Sequence, residues 1–371
     1  MFNDFFETWK NVNEAIKLSN KWRQIVFYSE GSWLTNHLSP VIRELVDSRG
    51  NRVTFFTSEK NDRINLKNYK NLKSIFIGSQ SARTYLFRKF YANLMITSTP
   101  NLQSMQLKRQ SESRYFYLHH SPCSTHMVYL ENAFDDFDGM FCIGNYQEKE
   151  VREREKILSL RKKVLLKSGY PNFDSLKNTK FKTGDKNTIL IAPSWGENSI
   201  TNLCLFELVL NLIHLKKNII LRPHSMSFLK DNKKLKKVIN YFKESEFFSI
   251  DRDPNSSNSM NSSGLLVTDW SGISFEYILQ RKPILFIDVP PKVNNKNYQK
   301  ISHIPLESSM RSKIGEVVSK NDIINLNSDE LDSKISKAKL KMSKNNDFIS
   351  ENFYNFGKSV NVICDQIEQL K

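Results

Sequence analysis

Three segments set polar, charge-bearing side chains directly after apolar runs, at the places where an α/β sheet would present them together. Leu265-Leu-Val-Thr-Asp269 ends an apolar run in a carboxylate, turns through Trp270, Ser271 and Gly272, and enters a helix-like stretch to Leu279. Backbone N–H groups at such a helix start carry partial positive charge, which suits a phosphate or pyrophosphate. Glu276, one turn further, is placed to accept hydrogen bonds from a ribose. Arg222-Pro-His224 follows a second run, Asn218 to Leu221. An arginine there pairs with phosphate, and His224 donates to a phosphate oxygen or shuttles a proton. Ala192-Pro-Ser194-Trp-Gly196 follows a third run, with Ser194 as a hydrogen-bonding group and Gly196 where a backbone must come close. A plain strand-to-helix turn competes as the explanation of each segment. Their shared place after apolar runs favours a donor-binding set of Ser194, Gly196, Arg222, His224, Asp269, Ser271, Gly272 and Glu276.

The chemistry also needs a proton acceptor. Tyr117-Leu-His119-His120-Ser-Pro-Cys123-Ser-Thr-His126 gathers three histidines beside another apolar run. No carboxylate or thiol follows at the usual ligand spacing, so no metal is expected. A general base acting on an acceptor hydroxyl fits better, because imidazole titrates near neutral pH. Adjacent strand residues point to opposite faces, which favours His120 as the base and leaves His119 structural; the sequence leaves that choice open. Glu30, Gly31 and Ser32, after the first run, are the acceptor-side candidates, with a tight β-α turn as the competing explanation.

These side chains need strands to carry them. Apolar, β-branched or aromatic runs are expected as strands at 25–28, 53–57, 75–77, 94–97, 116–119, 140–143 and 164–166, and again at 189–192, 219–221, 247–250, 265–268 and 284–287. Strands alternating with helices predict parallel, doubly wound sheets. Ser39 and Pro40 read as the start of the first helix and Gly50 as its end. The stretch from Ser168 to Asn187 reads as a boundary and part of a hinge, and Asn255 to Ser263 as a low-complexity surface loop. The expected division is 1–170 for an acceptor domain, 186–327 for a nucleotide-donor domain and 328–371 for C-terminal helices packing back on the first domain.

With 371 residues, two domains are the natural prior, and 39% hydrophobic residues can fill two cores. Four cysteines without paired spacing argue against disulfides or structural zinc. No run reaches the roughly 18–20 apolar residues of a membrane span, and no secretory signal is evident at the start. A cytoplasmic protein is expected, with a peripheral contact to the inner membrane face as the alternative. Fifty-five basic against 39 acidic residues give a net charge of +16, which attracts anionic partners without choosing among them.

In order along the chain, His119-His120-Ser121, Gly169-Tyr-Pro-Asn-Phe-Asp174, Ala192-Pro-Ser-Trp-Gly196, Arg222-Pro-His224 and Asp269-Trp-Ser-Gly-Ile-Ser-Phe-Glu276 resemble the bacterial CDP-glycerol glycerophosphotransferase family, which builds teichoic acids and related capsule polymers. The resemblance runs from about Phe116 to Ile314. Two of the segments are also similar to those of UDP-N-acetylglucosamine 2-epimerases. The resemblance implies a GT-B fold of two Rossmann-like domains facing across a cleft, with the donor on the C-terminal one. It puts the Ser271-Gly272 turn on the pyrophosphate, Glu276 near the ribose, and one functional histidine in each domain, matching His120 and His224. Family members commonly show Trp-His-Gly where this chain has His119-His120-Ser121, and Asp-Tyr-Ser-Ser where it has Asp269-Trp-Ser271-Gly272.

The implied activity is transfer of glycerol phosphate, or a similar polyol phosphate, from a CDP-activated donor to a hydroxyl of a polysaccharide or lipid-linked acceptor, with no cofactor and no metal. The alternatives are a GT-B glycosyltransferase or epimerase using a UDP or other nucleotide sugar, and a non-catalytic binder of anionic polymer or nucleic acid. Nucleic acid is not an expected partner, because the polar motifs sit at run ends rather than along one basic aromatic face.

Overall fold

The computed structural model describes residues 2–62, 69–104, 107–177, 184–230, 232–253 and 255–371. Within them the chain forms two sheets, each parallel throughout. The first comprises β1 (Ile25–Ser29), β2 (Val53–Thr57), β3 (Leu72–Phe76), β4 (Leu94–Thr97), β5 (Arg114–Leu118), β6 (Gly139–Cys142) and β7 (Val164–Lys167), in the order β3-β2-β1-β4-β5-β6-β7. The second comprises β8 (Asp185–Ile191), β9 (Asn218–Leu221), β10 (Phe248–Ile250), β11 (Ser263–Thr268), β12 (Ile284–Asp288) and β13 (Glu316–Ser319), in the order β10-β9-β8-β11-β12-β13. Helices cover both faces, so β1, β2, β4 and β6 are buried at every position. The strand order reverses between β1 and β4 and between β8 and β11, and each reversal opens a crevice at the carboxyl ends of the strands. Two doubly wound sheets with their crevices facing make the α/β, GT-B architecture.

Four apolar clusters hold this together. One lies on the second sheet under the helix Leu205–His214, and two sandwich the first sheet. The fourth joins the domains, packing Cys123 and Ile143 from the first against Leu190, Leu266 and Phe275 from the second, with Tyr170 and Phe173 between them. The last helix, Ser359–Leu370, belongs to the first domain in space. Its Ile363, Cys364 and Ile367 are fully buried with Ile25, Phe27 and Val41, and each fully buried Ile contributes about 1.5–3 kcal/mol. Arg49 grips the same helix through Asp365 at 2.6 Å and Glu368 at 2.8 Å.

The structure departs from the sequence expectation in three places. The helix after β1 begins at Ser32, not Pro40, which lies inside Ser32–Arg43. The Asn36 carbonyl that Pro40 leaves without an N–H faces Ser39 Oγ at 3.5 Å, and burial of Leu34, Leu38, Val41 and Ile42 holds the helix through the proline. The serine-rich 255–263 stretch contains a helix, Ser257–Ser262, rather than a loop. Buried Met260 anchors it, and the buried Lys282 Nζ donates to the carbonyls of Met260 and Ser263 at 2.8 Å each, capping its end. Edge strand β13 was absent from the expectation, since Glu316-Val-Val-Ser has only two apolar residues to signal it. The boundary stretch from Ser168 holds the helix Pro171–Lys177, and 178–183 lie outside the described residues.

Candidate active site

The three histidines of the 119–126 segment go to three different environments. His119 is fully buried among Tyr117 and Phe134, and burial lowers its pKa to about 3. Its Nδ1 lies 3.4 Å from Gln147 Nε2, while its Nε2 has no hydrogen-bond partner among the described residues. His126 joins the domains: its Nε2 donates to the His303 carbonyl at 3.1 Å and its Nδ1 lies 3.4 Å from Glu150. Burial alone would lower the His126 pKa, but Glu150 overrides it and the net shift is upward. His120 faces the cleft from just beyond β5. Its Nδ1 sits 3.1 Å from the Ser98 carbonyl and 2.9 Å from Tyr117 Oη. A carbonyl can only accept, so Nδ1 carries the proton and Nε2 keeps its lone pair. Burial, opposed by the Ser98 bond and helped by the charge of Lys292, lowers the His120 pKa to about 4.

On the opposite domain, β9 delivers Arg222-Pro-His224. His224 Nδ1 accepts the Met226 N–H at 3.1 Å, which puts its proton on Nε2. The two histidines are thus held as opposite tautomers, one offering a lone pair and the other an N–H. Arg222, expected on phosphate, pairs with Asp251 at 2.6 Å.

Asp269 has a positioning place. Its carboxylate accepts from the N–H groups of Ser194 at 2.7 Å, Ile200 at 2.9 Å and Trp270 at 2.6 Å, with both oxygens engaged. Burial raises its pKa against those bonds. Asp269 thereby acts as a staple that ties the end of β11 to the loop after β8. That loop, with Ser194, Trp195, Gly196 and Asn198, lines a cleft of about 210 Å³ closed on its other side by Trp270 and Lys292. Gly196 has a φ of +105° with open space beside its Cα, so its glycine is a backbone requirement. The Ser271-Gly272 turn opens the helix Ile273–Tyr277, only 5 residues long. Gly272 has an ordinary φ of −62°, and a Cβ there would lie 2.6 Å from Ser121 Oγ, so a side chain at this position would push the Ser121 hydroxyl aside.

Glu276 is held at a node between the domains. Its Oε1 accepts from Tyr170 Oη at 3.1 Å and Asn172 Nδ2 at 3.3 Å, and its Oε2 accepts from Ser256 Oγ at 3.2 Å. Desolvation still raises its pKa. Tyr170 Oη also lies 3.1 Å from the His120 carbonyl and 3.3 Å from His37 Nδ1, and His37 stacks on the Tyr170 ring at 5.9 Å. Glu30, an acceptor-side candidate, pairs with buried Arg83 at 3.0 Å. Gly31 caps the helix that carries His37, and the Ser32 N–H donates to Glu59 at 2.7 Å.

Sequence reasoning singled out neither His37 nor Lys292. His37 is one helix turn into a segment dominated by its glycine-containing turn. Lys292 follows Pro290-Pro291 at the end of β12, and that strand-end place is the signal that could have found it. Its Nζ lies 4.1 Å from the Trp195 ring centroid, and its charge acts on both His120 and His224. Among the described residues no three His, Cys, Asp or Glu side chains gather as a metal site, and no helix is long and apolar enough to cross a membrane.

Comparison with curated proteins returned no match. Among solved structures the wall teichoic acid polymerase TagF is similar over 100% of this chain and 98% of its own, with 16% identity and a TM-score of 0.60. One TagF variant structure was obtained after a CDPG soak. The UDP-GlcNAc 2-epimerase of Methanocaldococcus jannaschii is similar over 93% of this chain and 99% of its own, with 13% identity and a TM-score of 0.55. Those likenesses bear on the fold. The family comes from sequence, because the family model for CDP-glycerol:poly(glycerophosphate) glycerophosphotransferases matches residues 16–299, spanning both histidines and the donor-side loops. The chain with this two-sided histidine cleft is therefore a member of the CDP-glycerol:poly(glycerophosphate) glycerophosphotransferase family, a family of transferases.

Proposed function

We propose that the chain transfers glycerol phosphate, or a closely similar polyol phosphate, from a CDP-activated donor to a terminal hydroxyl of a teichoic-acid-like or capsular polymer. The observation that carries this reading is the pair of opposed tautomers. His120 Nε2 offers a lone pair to the acceptor proton, and His224 Nε2–H offers a donor to a phosphate oxygen. The acceptor oxygen attacks the glycerol-side phosphorus, its proton passes to His120, and CMP departs. Ser271 and Gly272 would meet the pyrophosphate through their backbone, and Ser194 and Gly196 line the cleft that reaches Trp270, the residue before that turn. Glu276 would exchange part of its node for ribose hydroxyls, and Arg222 would divide its charge between Asp251 and the donor. Glu30, Gly31 and Ser32 lie on the acceptor side, with Glu30 acting through Arg83. The steps assigned to these residues need no cofactor. The expected setting is the cytoplasm, with peripheral contact at the inner membrane face where a lipid-linked acceptor would be met.

Thermal unfolding with CDP-glycerol, CDP and UDP-N-acetylglucosamine tests the donor. A ligand at 100 times its Kd adds about 2.7 kcal/mol to the folded state. Stabilisation by both cytidine compounds and not by the uridine sugar is expected; the reverse would move the reading to a sugar transferase or epimerase.

A further inference from the structure

Resting on that donor reading, we propose that Lys292 neutralises the charge that develops on the departing nucleotide phosphate, making it a further catalytic residue of the transfer. The argument begins with its backbone. β12 ends at Asp288, and Val289, the next residue, accepts the Trp270 indole N–H through its carbonyl at 3.0 Å. Pro290 and Pro291 follow, each with φ fixed by its ring. Asn294 then donates its N–H to the Met127 carbonyl of the other domain at 3.0 Å, and its side chain donates to the Val128 carbonyl at 2.7 Å. Asn295 adds a buried bond to the His126 carbonyl at 2.9 Å. Lys292 is thus clamped between an anchor on the donor domain and an anchor on the acceptor domain, and it lines the cleft beside Trp195 and Trp270.

Its ammonium rests against the face of Trp195, 4.1 Å from the centroid, and the same indole lies 6.1 Å from the His224 ring. The neighbouring carboxylate on that lining, Glu197, is exposed, while the guanidinium of Arg222 is already 2.6 Å from Asp251. Lys292 therefore places positive charge on the cleft lining against Trp195, the indole that borders His224, and that charge acts on His224.

In the transfer, a bond forms between the acceptor oxygen and the glycerol-side phosphorus as the bond from that phosphorus to the bridging oxygen breaks. The electron pair stays on the bridging oxygen, which leaves as part of CMP, and the acceptor proton goes to His120. Lys292 keeps its proton throughout and faces the growing charge on the leaving phosphate. A cation facing that developing charge stabilises the transition state more than the bound donor, so its loss should fall on kcat rather than on KM.

The test compares the full-length wild type with Lys292→Met, which keeps the stem against Trp195, and with Lys292→Arg. Initial rates with CDP-glycerol and a polymer acceptor would give kcat and KM separately. The expected result is a fall in kcat of about 100-fold for Lys292→Met with KM changed less than about threefold, and recovery of at least about tenfold by Lys292→Arg. An undiminished kcat in Lys292→Met would overturn the assignment while leaving the donor reading in place. Equal losses in both variants, carried by KM, would show a packing role and overturn it too. A wild type with no turnover of CDP-glycerol would overturn the donor reading, and this assignment with it.

Discussion

His120 shows how much a single hydrogen bond decides. The Ser98 carbonyl fixes the proton on Nδ1, and burial keeps the ring neutral far below the ordinary histidine range, with a pKa of about 4. A base of that kind stays unprotonated across the physiological range, so the acid limb of kcat/KM, which reports the free enzyme, should fall with a midpoint near 4 rather than near 6.5. His120→Ala should lower kcat by roughly 10²–10⁴-fold with nucleotide affinity retained. A limb at 6.5 in the wild type, or full turnover in the variant, would remove His120 from the proton transfer. The residue types were legible in the sequence because their chemistry is intrinsic to them. Their partners were not: nothing near Asp269 in the chain announces that Ser194 and Ile200, roughly seventy positions away, consume its carboxylate. Arg222 is concealed in the same way by Asp251, and Glu30 by Arg83.

The elements that hold these side chains meet at the Gly272–Ser121 contact, where a Cβ on Gly272 would lie 2.6 Å from Ser121 Oγ but 3.8 Å from its Cβ. A side-chain oxygen fits at one of these positions and not comfortably at both. Gly272→Ser should therefore displace the segment bearing His120 and cost about 1–3 kcal/mol of stability, with a matching loss of activity. Adding Ser121→Gly should restore most of both. The coupling is read from a double-mutant cycle of unfolding free energies and rates, and additive losses would show that the two positions do not communicate. Strands were the most legible elements, because a parallel strand buried on both faces is a continuous apolar run, as in β1 and β4. Helix starts were less so: Ser39-Pro40 has the local chemistry of a helix beginning, and only the burial of Leu34 and Leu38 shows that the helix is already under way. The short 257–262 helix depends on Lys282, a residue twenty positions on, and no local pattern encodes that.

At the scale of the molecule, the domains share one apolar cluster, and the first domain holds three imidazoles neutral in or beside the cleft. His37 and His119 have pKa values near 3, and His120 near 4, each lowered first by burial from an ordinary value of 6.5. The unfolded chain takes up protons on these rings as pH falls through 6.5, whereas the native one does so only near 3 to 4. Between those limits the unfolded state binds more protons, so stability must fall as pH falls. The fully buried His119 alone accounts for about 1–2 kcal/mol between pH 7.5 and 5.0, and His37 and His120, partly open to solvent, add less. His126 works in the opposite direction: its raised pKa adds stability below 6.5 that is lost as pH rises through the folded value. Asp269, Glu276 and Glu307, raised by burial, regain stability as pH drops into the carboxylate range. The net expectation is a fall in unfolding free energy from pH 7.5 to 5.0, measured by urea denaturation, with a shallower slope in His119→Gln. Equal slopes in the wild type and in His119→Gln would mean that the buried ring titrates in the folded enzyme as it does in the unfolded chain, and the burial that holds it neutral would be ruled out.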